Sequence, residues 1–143
     1  MKKLIILLTV VSTSFISCKK DKALSSLKTE NITLENATVI MAGNLSFSSK
    51  MSTGAGSVKI YRQNNGEFVL ALEQMKLNIG SSLVIYLSTS ATVSSSSIKI
   101  YSVKDLYGNV FHILPGNIDF AAFKYLIIQA ELSEEIIASA ELK

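Results

Sequence analysis

The sequence predicts an all-β protein: an antiparallel β-sandwich preceded by a signal peptide and a flexible tether. Three observations carry that expectation. Short segments alternate apolar and polar residues, Gly, Asn and Ser punctuate them, and a basic, apolar leader ending in cysteine stands ahead of them.

The leader comes first. Met1-Lys2-Lys3 is followed by the apolar run Leu4 to Val11 and by Phe15-Ile16-Ser17-Cys18. A basic start, a short apolar core and a small residue before the cut describe a secretory signal over residues 1–17. The run falls short of the roughly 20 residues a spanning helix needs. Its ending resembles the bacterial lipobox, with Phe15 where Leu is usual, and that resemblance implies that Cys18 is acylated as the first mature residue. Residues 18–36, polar and without periodicity, read as the lipidated tether.

Residues 37–143 read as the folded domain. Gly56-Ser57-Val58-Lys59-Ile60-Tyr61-Arg62 alternates as a half-buried strand does, and Asn64-Asn65-Gly66 supplies turn residues before Phe68-Val69-Leu70-Ala71-Leu72. Leu83 to Leu87 is a short run of strand formers, bounded by Gly80-Ser81-Ser82 and by a serine-rich surface loop from Ser88 to Ser97. Ile98 to Val103 alternates again. Gly108-Asn109 reads as a turn before Val110 to Leu114, Pro115-Gly116-Asn117 ends that segment, and Tyr125-Leu126-Ile127-Ile128 reads as a central strand. Ser133 to Leu142 stays open: its Glu and Ala content favours helix, whereas its brevity and position suit a closing strand.

Composition excludes several functions. The net charge is +3, but from Ala37 onward eight basic residues (Lys50, Lys59, Arg62, Lys76, Lys99, Lys104, Lys124, Lys143) balance eight acidic ones (Glu67, Glu73, Asp105, Asp119, Glu131, Glu134, Glu135, Glu141). A neutral domain gives no electrostatic footprint for nucleic acid. Cys18 is the only cysteine, so the domain has neither a disulfide nor a thiol for redox or metal chemistry.

Taken in order, the segments from about Leu45 to Leu142 resemble the DM-thirteen domain, catalogued as an electron-transfer domain of extracellular proteins. The segments that carry the resemblance are Gly56 to Tyr61, Gly66 to Glu73, Leu83 to Ser88, Gly108 to Pro115 with Asp119, Tyr125 to Ile128, and Ala140-Glu141-Leu142. The resemblance implies a β-sandwich. It also implies a Trp-Cys pair after the tyrosine-led strand, the cysteine being the proposed redox residue. Gln129 and Ala130 stand at those positions. An alanine methyl cannot exchange electrons or bind a metal, so the family's redox position is lost at Ala130.

The remaining chemistry is sparse. His112 is the only histidine and reads as a partly exposed strand residue. No serine sits in a Gly-x-Ser-x-Gly elbow. Gly54-Ala55-Gly56-Ser57 leads into a strand and so lacks the helix terminus of a phosphate loop. Asp105 looks isolated, and Asp119 reads as a loop residue accepting backbone hydrogen bonds. The tyrosines read as core or rim residues.

The function expected is that of a membrane-anchored extracytoplasmic lipoprotein, a non-catalytic binding or structural module rather than an enzyme. It would sit in the cell envelope, facing the periplasm or the cell surface. The membrane is its partner through the lipid on Cys18, an envelope protein is a candidate partner, and neither a catalytic residue, a metal, a cofactor nor a nucleic acid is expected. The alternative is the family's electron-transfer role, which would require a bound cofactor.

Overall fold

The computed structural model describes residues 32–49 and 54–143. The leader, Cys18 and most of the tether lie outside the described residues. Seven strands follow one another: β1 (Thr38–Asn44), β2 (Ser46–Phe47), β3 (Ala55–Arg62), β4 (Phe68–Ser88), β5 (Ile98–Leu114), β6 (Tyr125–Ala130) and β7 (Ile136–Glu141). Every ladder is antiparallel, and no described residue is helical. The all-β class expected from the sequence is therefore the class observed. Ser133 to Leu142, open between helix and strand, contains the strand β7.

Two long strands organise the sheet. The segments Phe68–Leu72 and Leu83–Leu87 belong to one 21-residue strand, β4. Ile98–Val103 and Val110–Leu114 likewise belong to one 17-residue strand, β5. The two pair with each other along both halves. On its other edge, β4 pairs with β3 from Phe68 to Lys76 and with β6 from Leu83 to Ser88. β1 lies beside β3, and β7 lies beside β6.

Gly80-Ser81-Ser82 and Gly108-Asn109, expected as boundaries, are irregularities inside these strands. Ile79 to Ser82 stand opposite Lys104 alone, and Glu73 and Gln74 stand opposite Asn109 alone. Such bulges need the same residues that turns need, because one backbone position goes to positive φ. Gly108 has φ 68°, Gln74 has φ 53°, and the Gln74 amide donates to Asn109 Oδ1 at 2.9 Å.

The bulges let the hairpin fold over. Residues about eleven positions apart on a straight strand would lie roughly 36 Å apart. The rings of Tyr101 and His112, both on β5, stack with centroids 4.7 Å apart. At the opposite side the chain changes neighbours after β1: Leu45 donates to the Gly56 carbonyl, β2 pairs with β7, and Ala42 and Lys143 exchange both backbone hydrogen bonds at 2.9 Å. The ladders thus define one continuous sheet, nearly closed into a barrel. They do not by themselves divide it into the two sheets of a sandwich.

One core fills the interior. It draws Val58 and Ile60 from β3, Leu70, Leu72, Leu77, Leu83, Ile85 and Leu87 from β4, Leu106 from β5, and Leu126 and Ile128 from β6, all buried. The inward residues recur at every second position until a bulge resets the count, as the pleat requires. β5 is an edge strand, paired among the described residues only with β4. Its displaced residue Ile100 and its exposed Lys99 and Lys104 blunt that edge against further strand pairing.

The serine-rich loop is organised by hydroxyls. Ser88 Oγ, fully buried at the end of β4, donates to the Thr92 carbonyl at 2.8 Å and accepts from Ser97 Oγ at 3.0 Å. Ser97 Oγ also accepts from the Ser94 amide at 2.9 Å. These bonds satisfy a polar side chain that burial would otherwise penalise.

Candidate functional site

The two residues aligned with the resemblance's Trp-Cys pair have structural tasks. Ala130, at the end of β6, is buried in the core, and its amide donates to the Glu135 carbonyl at 2.9 Å. Gln129 Nε2 donates to the Glu134 carbonyl at 2.7 Å and so ties down the turn between β6 and β7. Glu134 (φ 55°) and Glu135 lie in that turn rather than on a strand. Asp119 holds the loop before β6: its carboxylate accepts from the Ala121 amide, and its carbonyl accepts from the Ala122 and Phe123 amides.

A charged cluster joins β3 to β4. Lys59 Nζ lies 2.6 Å from Glu73 Oε2, and the Tyr61 hydroxyl donates to Glu73 Oε1 at 3.0 Å. Lys59 and Tyr61 are two residues apart and so share a face of β3. The Lys59 hydrogen bond, aided by that of Tyr61, holds the Glu73 carboxyl below its usual range. The same bond raises Lys59. Burial, then the Glu73 contact, raises Tyr61. Each group is thereby fixed in its ordinary protonation state. General acid–base catalysis needs the reverse, a proton poised to leave or arrive near neutral pH. The cluster is a cross-strand brace.

His112 and Tyr101 form the second pair of interest. Burial lowers the His112 pKa and raises that of Tyr101, whose hydroxyl is buried without a hydrogen-bond partner. Neither shift makes the pair reactive: the phenol resists ionisation and the imidazole stays neutral. No group of three or more His, Cys, Asp or Glu side chains that could hold a metal occurs among the described residues.

The pair sets a pH dependence. His112 has a folded pKa below its reference of 6.5, so above that value its contribution is fully favourable. As pH falls below it, the unfolded chain takes up a proton that the folded chain refuses, and stability declines. Glu73 extends the loss below pH 4.5. Tyr61 and Tyr101 act oppositely, because above pH 10.0 the unfolded phenols ionise while the folded ones resist. Denaturant titrations should therefore show a stability plateau between about pH 6.5 and about pH 10. His112→Gln should flatten the decline between pH 6.5 and 5. An unchanged slope in that variant would remove His112 as the cause.

A concave feature lies where the β4–β5 hairpin turns its corner. Two adjoining hollows, of about 450 and 410 Å³, share Ser82, Lys104 and Asp105. Ser102 and Val103 line the first, while Asn78, Gly80, Ser81 and Leu132 line the second. The irregular stretch Ile79 to Ser82 makes the cleft by standing opposite a single residue of β5. It is fastened at both ends: Asn78 Oδ1 accepts from the Gly80 amide at 2.9 Å, and the Ser82 carbonyl accepts from the Glu131 amide at 2.8 Å. The second bond docks the β6–β7 turn beside the cleft, with Leu132 89% exposed on its rim.

Lys104 and Asp105 are both exposed and line both hollows, and neither has an ion pair or side-chain hydrogen bond among the described residues. On a regular strand, adjacent residues point to opposite faces. The corner is what lets two adjacent residues of opposite charge line one cleft. Asp105 looked isolated in sequence for this reason, and no local pattern signals the cleft.

Fold and site together define a small antiparallel domain, nearly a barrel, with an open, charge-bearing cleft at its bent corner. Comparisons with family models, with curated proteins and with solved structures returned no match.

Proposed function

We propose that the chain is a lipid-anchored protein of the cell envelope whose β domain is a non-catalytic binding module, contacting its partner at the β4–β5 corner. One observation carries the choice of surface. Lys104 and Asp105 present opposite, unpaired charges in a cleft beside an exposed Leu132, while the Lys59–Tyr61–Glu73 cluster spends its bonding capacity internally. Unpaired charges next to an apolar rim suit recognition, since a partner can satisfy the first and bury the second.

The leader supplies the location: Cys18 carries the lipid, and the domain faces the periplasm or the cell surface. The DM-thirteen resemblance enters as a relationship of fold. With Ala130 as a core methyl and Gln129 as a turn clasp, the reading assigns neither redox work nor a cofactor to the pair.

A photocrosslinker at Ser81 of the full chain, in intact cells, tests the reading. We expect a discrete crosslinked envelope protein, lost when Lys104→Glu and Asp105→Lys are combined. Crosslinks indifferent to that charge reversal would refute the surface. Reproducible turnover, or a cofactor bound in stoichiometric amount by the purified protein, would refute the non-catalytic assignment. Mass spectrometry of the chain and of Cys18→Ala tests the lipid separately.

A further inference from the structure

A second surface lies near the start of β4, on the outer face of the sheet. Val39, Tyr61, Val69 and Ile113 stand directly opposite one another on β1, β3, β4 and β5. They form a continuous row roughly 14 Å across at strand spacing. The next outward row holds Ala71 and Phe111 beside Lys59. Val69 and Ala71 are fully buried, whereas Val39 and Ile113 remain 45% and 37% exposed. Ile40, pushed out by the irregularity between Val39 and Met41, adds another apolar side chain at 37% exposure. Val39 and Ile113, with Ile40 next in chain to Val39, make up three of the five exposed large hydrophobic side chains among the described residues.

We infer that this row is a membrane-contact face, its occupant the surface of the bilayer to which the chain is anchored. The inference rests on the proposed lipid at Cys18. The position of the chain argues for it: the segment from Cys18 joins the domain at Thr38, beside Val39 and at the same end of the sheet as the row. Only 20 positions separate Cys18 from Thr38, so a chain of that length cannot carry the domain more than roughly 70 Å from the lipid. Tethering at that range gives a millimolar effective concentration, at which a few partly exposed apolar side chains suffice for residence at an interface. Lys19, Lys20, Lys22 and Lys28 in the tether suit an anionic headgroup layer. The corner cleft, at the bend in the middle of β4, would then lie away from the membrane.

The test replaces the native anchor, so that its outcome does not depend on lipidation. Residues 1–18 are exchanged for a hexahistidine tag, which keeps every residue of the core, Met41 to Leu142. The protein is held on phosphatidylethanolamine–phosphatidylglycerol vesicles carrying a nickel-chelating lipid. With Cys18 gone, Ile113→Cys introduces the only thiol, and a polarity-sensitive fluorophore is attached there. Leu132→Cys is the control, more exposed but beside the corner cleft, and Val39→Cys gives a second position on the row should labelling at 113 disturb the fold. Labels at 113 and 39 should shift to the blue and be quenched by spin-labelled phospholipid several-fold more than the label at 132. Equal quenching at all three positions, or none on the row, overturns the inference. So does a dimer in sedimentation that Val39→Ser dissociates, which would assign the face to a second copy of the chain.

Discussion

Ile85→Ala is expected to lower the free energy of unfolding by about 2–5 kcal/mol, a large part of what holds a domain of this size together. Ile85 is fully buried at the middle of β4's second half, directly opposite Tyr101 on β5 and Ile128 on β6. Removing its branched end leaves a void between three strands whose ladders fix their spacing, so the walls have little freedom to collapse. Tyr107→Ala provides the contrast, because that side chain is 57% exposed and its loss should change stability by no more than about 0.5 kcal/mol. Urea unfolding of both variants, read by circular dichroism, measures the difference. Similar midpoints for the two would mean that the corner half of the barrel is not the shared core described.

Gly43→Ala should cost about 1–3 kcal/mol for a different reason, overpacking at the seam. A β-carbon at Gly43 would lie 2.5 Å from the Glu141 carbonyl oxygen and 3.3 Å from Ala140 Cβ. The first of these atoms belongs to the backbone of the partner strand and cannot swing aside as the tip of a side chain could. The strands must separate, and the Ala42–Lys143 hydrogen bonds beside them should open first. Amide hydrogen exchange distinguishes this from a general loss of stability: Ala42 and Lys143 should lose protection in the variant while the β4–β5 ladder keeps most of its own. Uniform loss across the sheet, or full protection at the seam, would contradict the close approach.

Much of this architecture is legible in the sequence wherever one face is wet and the other dry. Val58 and Ile60 alternate with Lys59 and Tyr61, and the strand follows directly. Asn65-Gly66 turns the chain, with Gly66 at φ 88° and the Gln63 amide bonded to the Glu67 carbonyl. β1 is harder, because Val39 and Ile40 are adjacent and both exposed, and a bulge destroys the period. The continuity of β4 and β5 was hidden for a deeper reason. Gly108 at positive φ serves a kink as well as a reversal, and only the distant partner strand decides between them. The cleft inherits that hidden information, since Lys104 and Asp105 converge only after the hairpin bends. Ala130 was legible as a residue that cannot carry redox chemistry, whereas its place in the core and the clasp made by Gln129 depend on a turn whose geometry no short motif announces.

The seam between Ala42 and Lys143 also bears on the order of events during biosynthesis. β1 emerges first among the strands, yet the residue that satisfies its second edge follows about a hundred positions later. Until Lys143 has cleared the ribosome, the backbone at Ala42 has no partner on that side, and the ring stays open. Closure of the ring is thereby withheld until the last strand of the domain has been made.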